Sequence, residues 1–378
     1  FMEKNIYKEK FNIYWRNIDK QIFFSFIVLF LLGLFFSFSS TSSLAGERLN
    51  KDYYFFFSKH LTFVFLSLFS MFIISFIERK FLIKIVIPIF IFLLITLILV
   101  PIIGIEVKGS KRWLNLYFFQ LQPVELVKPF FILTTAKILS SSELKTSNSS
   151  YFLSFIILLS IVILLINQPD LGQSILIIGT WISVVFISGI SIFYIIMFFG
   201  LTIASFASLL IILPEKLGYI TNRLTSFLDP SKGDSFQSQK ALDAIKQGGL
   251  TGQGMGEGIL KDSVPEAHTD YIIAVITEEF GSLVSVVITL IFLFIAYRII
   301  KITVVELDKN LKISLCGLAS LLIFQTFIHI GVNTSLLPTT GMTLPFLSYG
   351  GSSLLGSSIL AGIILNYTKS RFKDEEIE

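Results

Sequence analysis

Charge is scarce in this chain: Asp, Glu, Lys and Arg make up 15% of its 378 residues, against roughly 25% in soluble domains, so water is not its main solvent. Cysteine is almost absent. The single Cys316 lies in an apolar segment without a Cys partner, which excludes a disulfide framework and a zinc–thiolate site and leaves the redox context open. With only three His, a His-rich metal site has no material. The formal net charge of +4 is small and scattered between apolar stretches, which argues against a nucleic-acid surface. A cleavable signal peptide is not evident either: the first apolar run is long, lacks a small-residue cleavage site and precedes many more, so it is expected to remain as an anchor. No clear internal repeat of the kind many secondary transporters carry is visible.

What the chain has in excess is apolar length. Hydrophobic residues make up 53% of it, and its 40 Phe sit mostly in long runs with Leu and Ile, more than a soluble domain of this size could bury. Runs long enough to span predict helices near 21–39, 57–77, 81–103, 123–140, 151–167, 172–188, 191–213, 270–300, 311–337 and 348–367. The expected fold is thus all-α and polytopic, a single transmembrane domain over 1–378 with about ten transmembrane helices. Lys4, Lys8, Lys10, Arg16 and Lys20 precede the first span, and Lys369, Arg371 and Lys373 follow the last. Because Lys and Arg favour the cytoplasmic side, both tails, 1–20 and 368–378, are expected inside. Two segments then fall outside: 104–122 and the large loop 214–269 between helices seven and eight. The first carries Lys108, Lys111 and Arg112 where that rule expects few cations; they suit either a functional site or a lipid headgroup surface.

Five further constellations could carry chemistry. In Gln122-Pro-Val-Glu-Leu-Val-Lys128 the proline suits a first helical turn, and Glu125 and Lys128 share one helix face, so an ionisable pair enters the membrane together. Such a pair lines a polar cavity or neutralises itself in packing. Asn167-Gln-Pro-Asp-Leu-Gly172 reads as an outer hairpin turn in which Asp170 caps the next helix. In the large loop, Gln237 to Lys246 is an amphipathic helix, and Gly248 to Gly258 is either flexible or able to approach a phosphate; its spacing, with no βαβ unit around it, is no dinucleotide fingerprint. Next comes Val264-Pro-Glu-Ala-His-Thr-Asp270, opening the eighth span. Asp270 suits a general base partly desolvated at the helix end, or equally a helix N-cap, and His268 is placed to position a neighbour or to face water. Glu278 and Glu279 are expected about 12 Å deeper in the same helix. Finally, the prolines, glycines and hydroxyls of Leu337 to Ser353, including Ser348 and Tyr349, predict irregular re-entrant backbone walling a site.

These motifs in this order closely resemble the SEDS family of shape, elongation, division and sporulation proteins over nearly the whole chain. The residues that carry the likeness are Gly109-Ser-Lys-Arg-Trp-Leu-Asn115, Gln122 to Lys128, Gln168 to Gly172, Arg223 with Asp229-Pro230, Pro265 to Asp270, and Gly341 to Ser353. Gly341-Met-Thr-Leu-Pro345 is closer to the FtsW division branch than to the RodA elongation branch. Two positions depart from the division pattern: Tyr271 stands where Phe is usual and Thr340 where many members have Lys. The resemblance implies a peptidoglycan glycosyltransferase that polymerises lipid II into β-1,4 glycan strands during septal synthesis, with a class B penicillin-binding protein and other divisome proteins as partners and the site on the outer face of the inner membrane. It implies Asp270 as catalytic base, and Lys111, Arg112, Lys128 and Arg223 as pyrophosphate cations, with Glu125 holding Lys128. His268, Ser348 and Tyr349 are the remaining candidates for substrate binding. No ligand cluster demands a cofactor, although Mg or Mn would suit a pyrophosphate. The alternatives are a RodA-like elongation polymerase, a lipid II flippase and a noncatalytic scaffold.

Overall fold

The computed structural model describes residues 11–40, 55–107, 109–117, 119–141, 147–194, 214–229 and 236–370, with scattered positions between 196 and 208. Most of the expected seventh span, the first ten residues and the last eight lie outside them, as does Lys108.

The helices that open the chain are α1 (Lys20–Ser40), α2 (Phe55–Phe76) and α3 (Arg79–Ile103). Then come α4 (Pro123–Ser140), α5 (Ser147–Asn167) and α6 (Leu171–Ile187). The large loop holds α7 (Pro214–Leu228) and α8 (Phe236–Gly248), and the chain closes with α9 (Ile272–Phe280), α10 (Ser282–Val305), α11 (Lys309–Asn333) and α12 (Gly351–Tyr367). Six of them are long and apolar enough to cross a membrane: Lys20–Ser39, Phe56–Phe76, Arg79–Ile103, Ser149–Asn167, Ser282–Val305 and Lys309–Asn333. The shorter α6 and α12 are apolar as well. Helix α4, although it carries Glu125, Lys128 and Lys137, is buried along nearly its whole length among α3, α5, α6, α11 and α12. Its charges are tolerated because they face protein rather than lipid.

Ser370 N donates to Asn17 O at 2.9 Å, so the chain before α1 and after α12 meets at one end of the bundle, as an even number of crossings requires. Arg79, Arg298 and Lys369 gather there: Arg298 pairs with Asp19 at 2.9 Å, and Arg79 donates to the carbonyls of Asn366, Tyr367 and Lys369. The site described below lies at the opposite end.

Two expectations need correction. The segment 104–122 is not plain loop but a three-stranded antiparallel sheet, β1 (Ile105–Val107), β2 (Ser110–Asn115) and β3 (Gln120–Leu121) in sequential order. Its ladder pairs Glu106 with Lys111 and Leu114 with Leu121, satisfying backbone groups that would otherwise be orphaned. The expected helix over 270–300 is broken. Gly281 adopts φ 85° and ψ 164°, a conformation reserved for glycine, and separates α9 from α10. The helix long and apolar enough to cross a membrane begins only at Ser282, so Glu278 and Glu279 lie on the short helix before it.

The Gly-rich segment folds onto this break. Gln253 N and Gly254 N donate to the carbonyls of Glu278 and Glu279, and Ser282 N donates to Gly249 O, so the orphan groups of both helix ends find partners. A Cβ on Gly248 would lie 2.0 Å from Thr277 O, which is why backbone this close is glycine. Glu279 binds Lys261 Nζ and Ser39 Oγ, and Glu278 accepts from Leu260 N at 2.7 Å. The two carboxylates therefore clasp the loop to α1 and α9.

The expected irregular backbone is present. Between α11 and α12 the chain runs without regular structure, yet Met342, Leu344, Phe346 and Leu347 are buried. The Phe346 ring packs among Phe26, Phe30 and Phe292.

Candidate functional site

Asp270 lies next to last in the turn stretch that leads into α9 and is partly exposed. It is not the helix cap. That position falls to Tyr271, which makes no side-chain capping bond, and the amide of Ala274 is met from another helix by Asn333 Oδ1 at 3.1 Å. The backbone around Asp270 is clamped. Three successive carbonyls each receive a donor from elsewhere: His268 O from Tyr349 N at 2.9 Å, Thr269 O from Ser348 Oγ at 2.6 Å, and Asp270 O from Asn333 Nδ2 at 3.0 Å. Ser348 also accepts from Leu344 N at 2.8 Å. The hydroxyl expected to meet substrate thus ties two loops together, and Tyr349 and His268 meet through their backbones. Their rings are flanked by His60 and Phe56, at 5.9 and 6.3 Å between centroids.

A Cβ on Gly341 would approach Asp270 Oδ2 to 3.3 Å, so the Thr340–Thr343 segment passes directly beside the carboxylate. That segment is registered from α11 by residues four apart, all on one face. Gln325 Nε2 donates to Thr343 O at 3.1 Å, His329 Nδ1 lies 2.7 Å from Met342 O, and Asn333 reaches Asp270. Sequence reasoning missed this ladder. Its signal is present in Gln325-x-x-x-His329-x-x-x-Asn333, a polar stripe on an otherwise apolar span.

The ladder leads on to the buried pair of α4. Lys128 Nζ lies 2.8 Å from Glu125 Oε2 and donates to Gln325 Oε1 at 3.1 Å, while Glu125 Oε1 accepts from Gln173 Nε2 at 2.7 Å. The cavity at this pair measures about 10 Å³, room for one water at most. Lys128 is 3% exposed. As the structure stands, it meets protein partners in place of an open pocket.

Asp170 caps α6 as expected, accepting from Gln173 N at 3.3 Å, and also receives Gln122 Nε2 at 3.3 Å. Burial pushes its carboxyl up, opposed by the Arg112 guanidinium 3.9 Å away. Arg112 donates to Gln168 O and Pro169 O, pinning β2 to this turn. Lys111, its neighbour in the strand, is exposed on the other face, so the two expected cations are separated by the period of two. Arg223, on α7, joins Arg112: burial, and then the nearby Arg112 charge, hold its pKa below the ordinary value, against Asp170, Tyr219 and Tyr271. The Nη1 of Arg223 is buried without a hydrogen-bond partner among the described residues. Burial and the Asp270 carboxylate raise the Tyr271 phenol, with Arg223 opposing. Asp270, Tyr271, Arg223, Arg112 and Asp170 therefore share one electrostatic neighbourhood. Among the described residues, no group of three or more His, Cys, Asp or Glu is placed to hold a metal ion.

Apolar helices closing around buried irregular backbone define a multi-pass membrane protein, and the candidate acid and arginines lie at one end of its bundle. The chain belongs to the FtsW/RodA/SpoVE family, whose model, described as "Cell cycle protein", matches residues 19–373. It is 31% identical over 360 residues to the probable peptidoglycan glycosyltransferase FtsW of Caulobacter vibrioides, covering 95% of this chain and 91% of the relative. The corresponding protein of Haemophilus influenzae is 34% identical, covering 92% and 89%. Stage V sporulation protein E of Bacillus subtilis is 33% identical, covering 91% and 94%. Among solved structures, a chain from a peptidoglycan synthase complex that coordinates polymerization and crosslinking aligns with a TM-score of 0.77 at 25% identity, covering 94% of this chain and 99% of that one. The rod shape determining protein RodA of Thermus thermophilus shares the fold, with a TM-score of 0.69 at 24% identity and coverage of 94% and 98%.

Proposed function

We propose that this chain is a peptidoglycan glycosyltransferase of the division branch that polymerises lipid II into β-1,4 glycan strands for septal wall synthesis. The observation that carries the reading is Asp270 next to Tyr271, whose phenol feels both the Asp270 carboxylate and Arg223, while Arg223 in turn feels Arg112 and has a buried N–H without a partner among the described residues. Glycosyl transfer from a sugar pyrophosphate needs a base for the acceptor and positive charge for the leaving group. The acceptor GlcNAc 4-hydroxyl oxygen attacks the donor anomeric carbon, its proton passes to the Asp270 carboxylate, and the bond from that carbon to the pyrophosphate oxygen breaks. An α-linked donor is thereby inverted to a β bond, and undecaprenyl pyrophosphate departs with the bonding pair. Arg223 and Arg112 stabilise the charge that develops on it. Lys128, sealed behind Glu125 and Gln325, acts by holding Thr343 in register. Among the described residues no group of three or more His, Cys, Asp or Glu is placed to hold a metal ion.

The site end faces outward and the cation-rich end, with both tails, faces the cytoplasm, following the positive-inside rule. The likeness to a synthase complex supports a class B penicillin-binding protein as crosslinking partner, within the other divisome proteins at the septum. The test is glycan-strand formation from labelled lipid II by the purified chain with that partner, comparing the native chain with Asp270→Asn at equal folding and complex yield. Polymer from the native chain alone supports the reading. Equal polymer from both removes Asp270 from the mechanism, and polymer from neither returns the flippase and scaffold alternatives.

A further inference from the structure

We infer that Asn333 is the positioning residue for Asp270, acting through the Asp270 backbone carbonyl; this rests on Asp270 being the base. Asn333 is fully buried at the end of α11, where an amide without partners would be costly. It makes three bonds. Its Nδ2 donates to Asp270 O at 3.0 Å and to His329 O at 2.8 Å, and its Oδ1 accepts from Ala274 N at 3.1 Å. One side chain therefore grips both sides of the junction between the Asp270 turn and α9. Holding the carbonyl and the first helical turn together fixes the Asp270 Cα and the direction in which its carboxylate leaves the backbone. Ser348 and Tyr349 hold the two preceding carbonyls but belong to the loop beside the site. Asn333 ties the turn to α11, a 25-residue helix long and apolar enough to cross a membrane.

Two variants separate positioning from mere helix capping. Asp caps as well as Asn, so Asn333→Asp keeps the acceptor for Ala274 N but has no N–H for the Asp270 carbonyl. Asn333→Ala removes both. Steady-state polymerisation of lipid II is measured with the class B partner, at matched thermal midpoint and complex yield. Each variant is read on its own pH plateau, so that a shifted base pKa is not read as lost geometry. The expected result is a loss of about a hundredfold in kcat for both variants, the scale of a misplaced catalytic group, with KM for lipid II little changed. Native kcat in Asn333→Asp overturns the inference, since capping alone would then suffice; so does native kcat in Asn333→Ala, or a loss confined to KM. If Asn333→Ala does not assemble, the isosteric Asn333→Asp decides. A fully active Asp270→Asn would instead overturn the base assignment itself.

Discussion

Lys128 and Glu125 form an ion pair of 2.8 Å with both side chains almost wholly withdrawn from solvent and lipid. Each is completed by an amide: Gln325 on the ammonium, Gln173 on the carboxylate. Such a pair adds little net stability while intact, but breaking it leaves a buried charge alone. Lys128→Met should therefore destabilise the chain by about 3 to 5 kcal/mol, and Glu125→Gln/Lys128→Met together should recover most of that loss. Thermal unfolding in detergent of the two single variants and the double variant checks this. A double variant no more stable than Lys128→Met would contradict it.

The break at Gly281 makes a steric prediction. A Cβ there would stand 2.1 Å from Leu250 O at a backbone angle that L residues avoid. Gly281→Ala should cost of the order of 1 to 3 kcal/mol in strain alone, with the clash in addition. Loosening should appear first as faster hydrogen exchange at Gln253, Gly254 and Ser282, whose amides seal the junction.

How much of this was legible in the sequence depends on period and reach. Apolar length announced the helices, and Asp170 announced its cap, because both are local signals. Gly281 was hidden inside a run that reads as one span, and only its φ, set by the folded-back Gly-rich segment, reveals the interruption. Glu278 and Glu279 were consequently expected on one unbroken helix. The Asn333 contact joins residues 63 apart and could not be seen along the chain. Nor could the fates of Lys111 and Arg112: adjacent letters, they fall on opposite strand faces once 104–122 is known to be a sheet.

That difference is testable. Arg112→Lys keeps the charge but cannot fork to Gln168 O and Pro169 O. It should lower the thermal midpoint and the polymer yield together. Lys111→Ala, on the exposed face, should leave the midpoint within about 0.5 kcal/mol of native stability. A larger destabilisation by Lys111→Ala would mean the strand is read in the wrong register.

The clasp between Lys261 and Glu279 predicts a protease phenotype. Both side chains are buried, and Ser39 shares the carboxylate. Lys261→Met should free the segment around Leu260–Ser263 and expose it to limited proteolysis, with cleavage mapped by mass spectrometry. Glu279→Gln/Lys261→Met should be cut more slowly than the single variant, because no charge is left stranded.

The 24 residues of α10 measure about 36 Å, enough to cross a hydrocarbon layer of about 30 Å unaided. Helix α9 adds nothing to that crossing length: its nine residues, about 13 Å, lie before the Gly281 break. Asp270 lies just ahead of it. Because α9 stands apart from that length, the turn carrying Asp270 is fixed by Asn333 and by the Ser348–Tyr349 loop, independently of how α10 crosses.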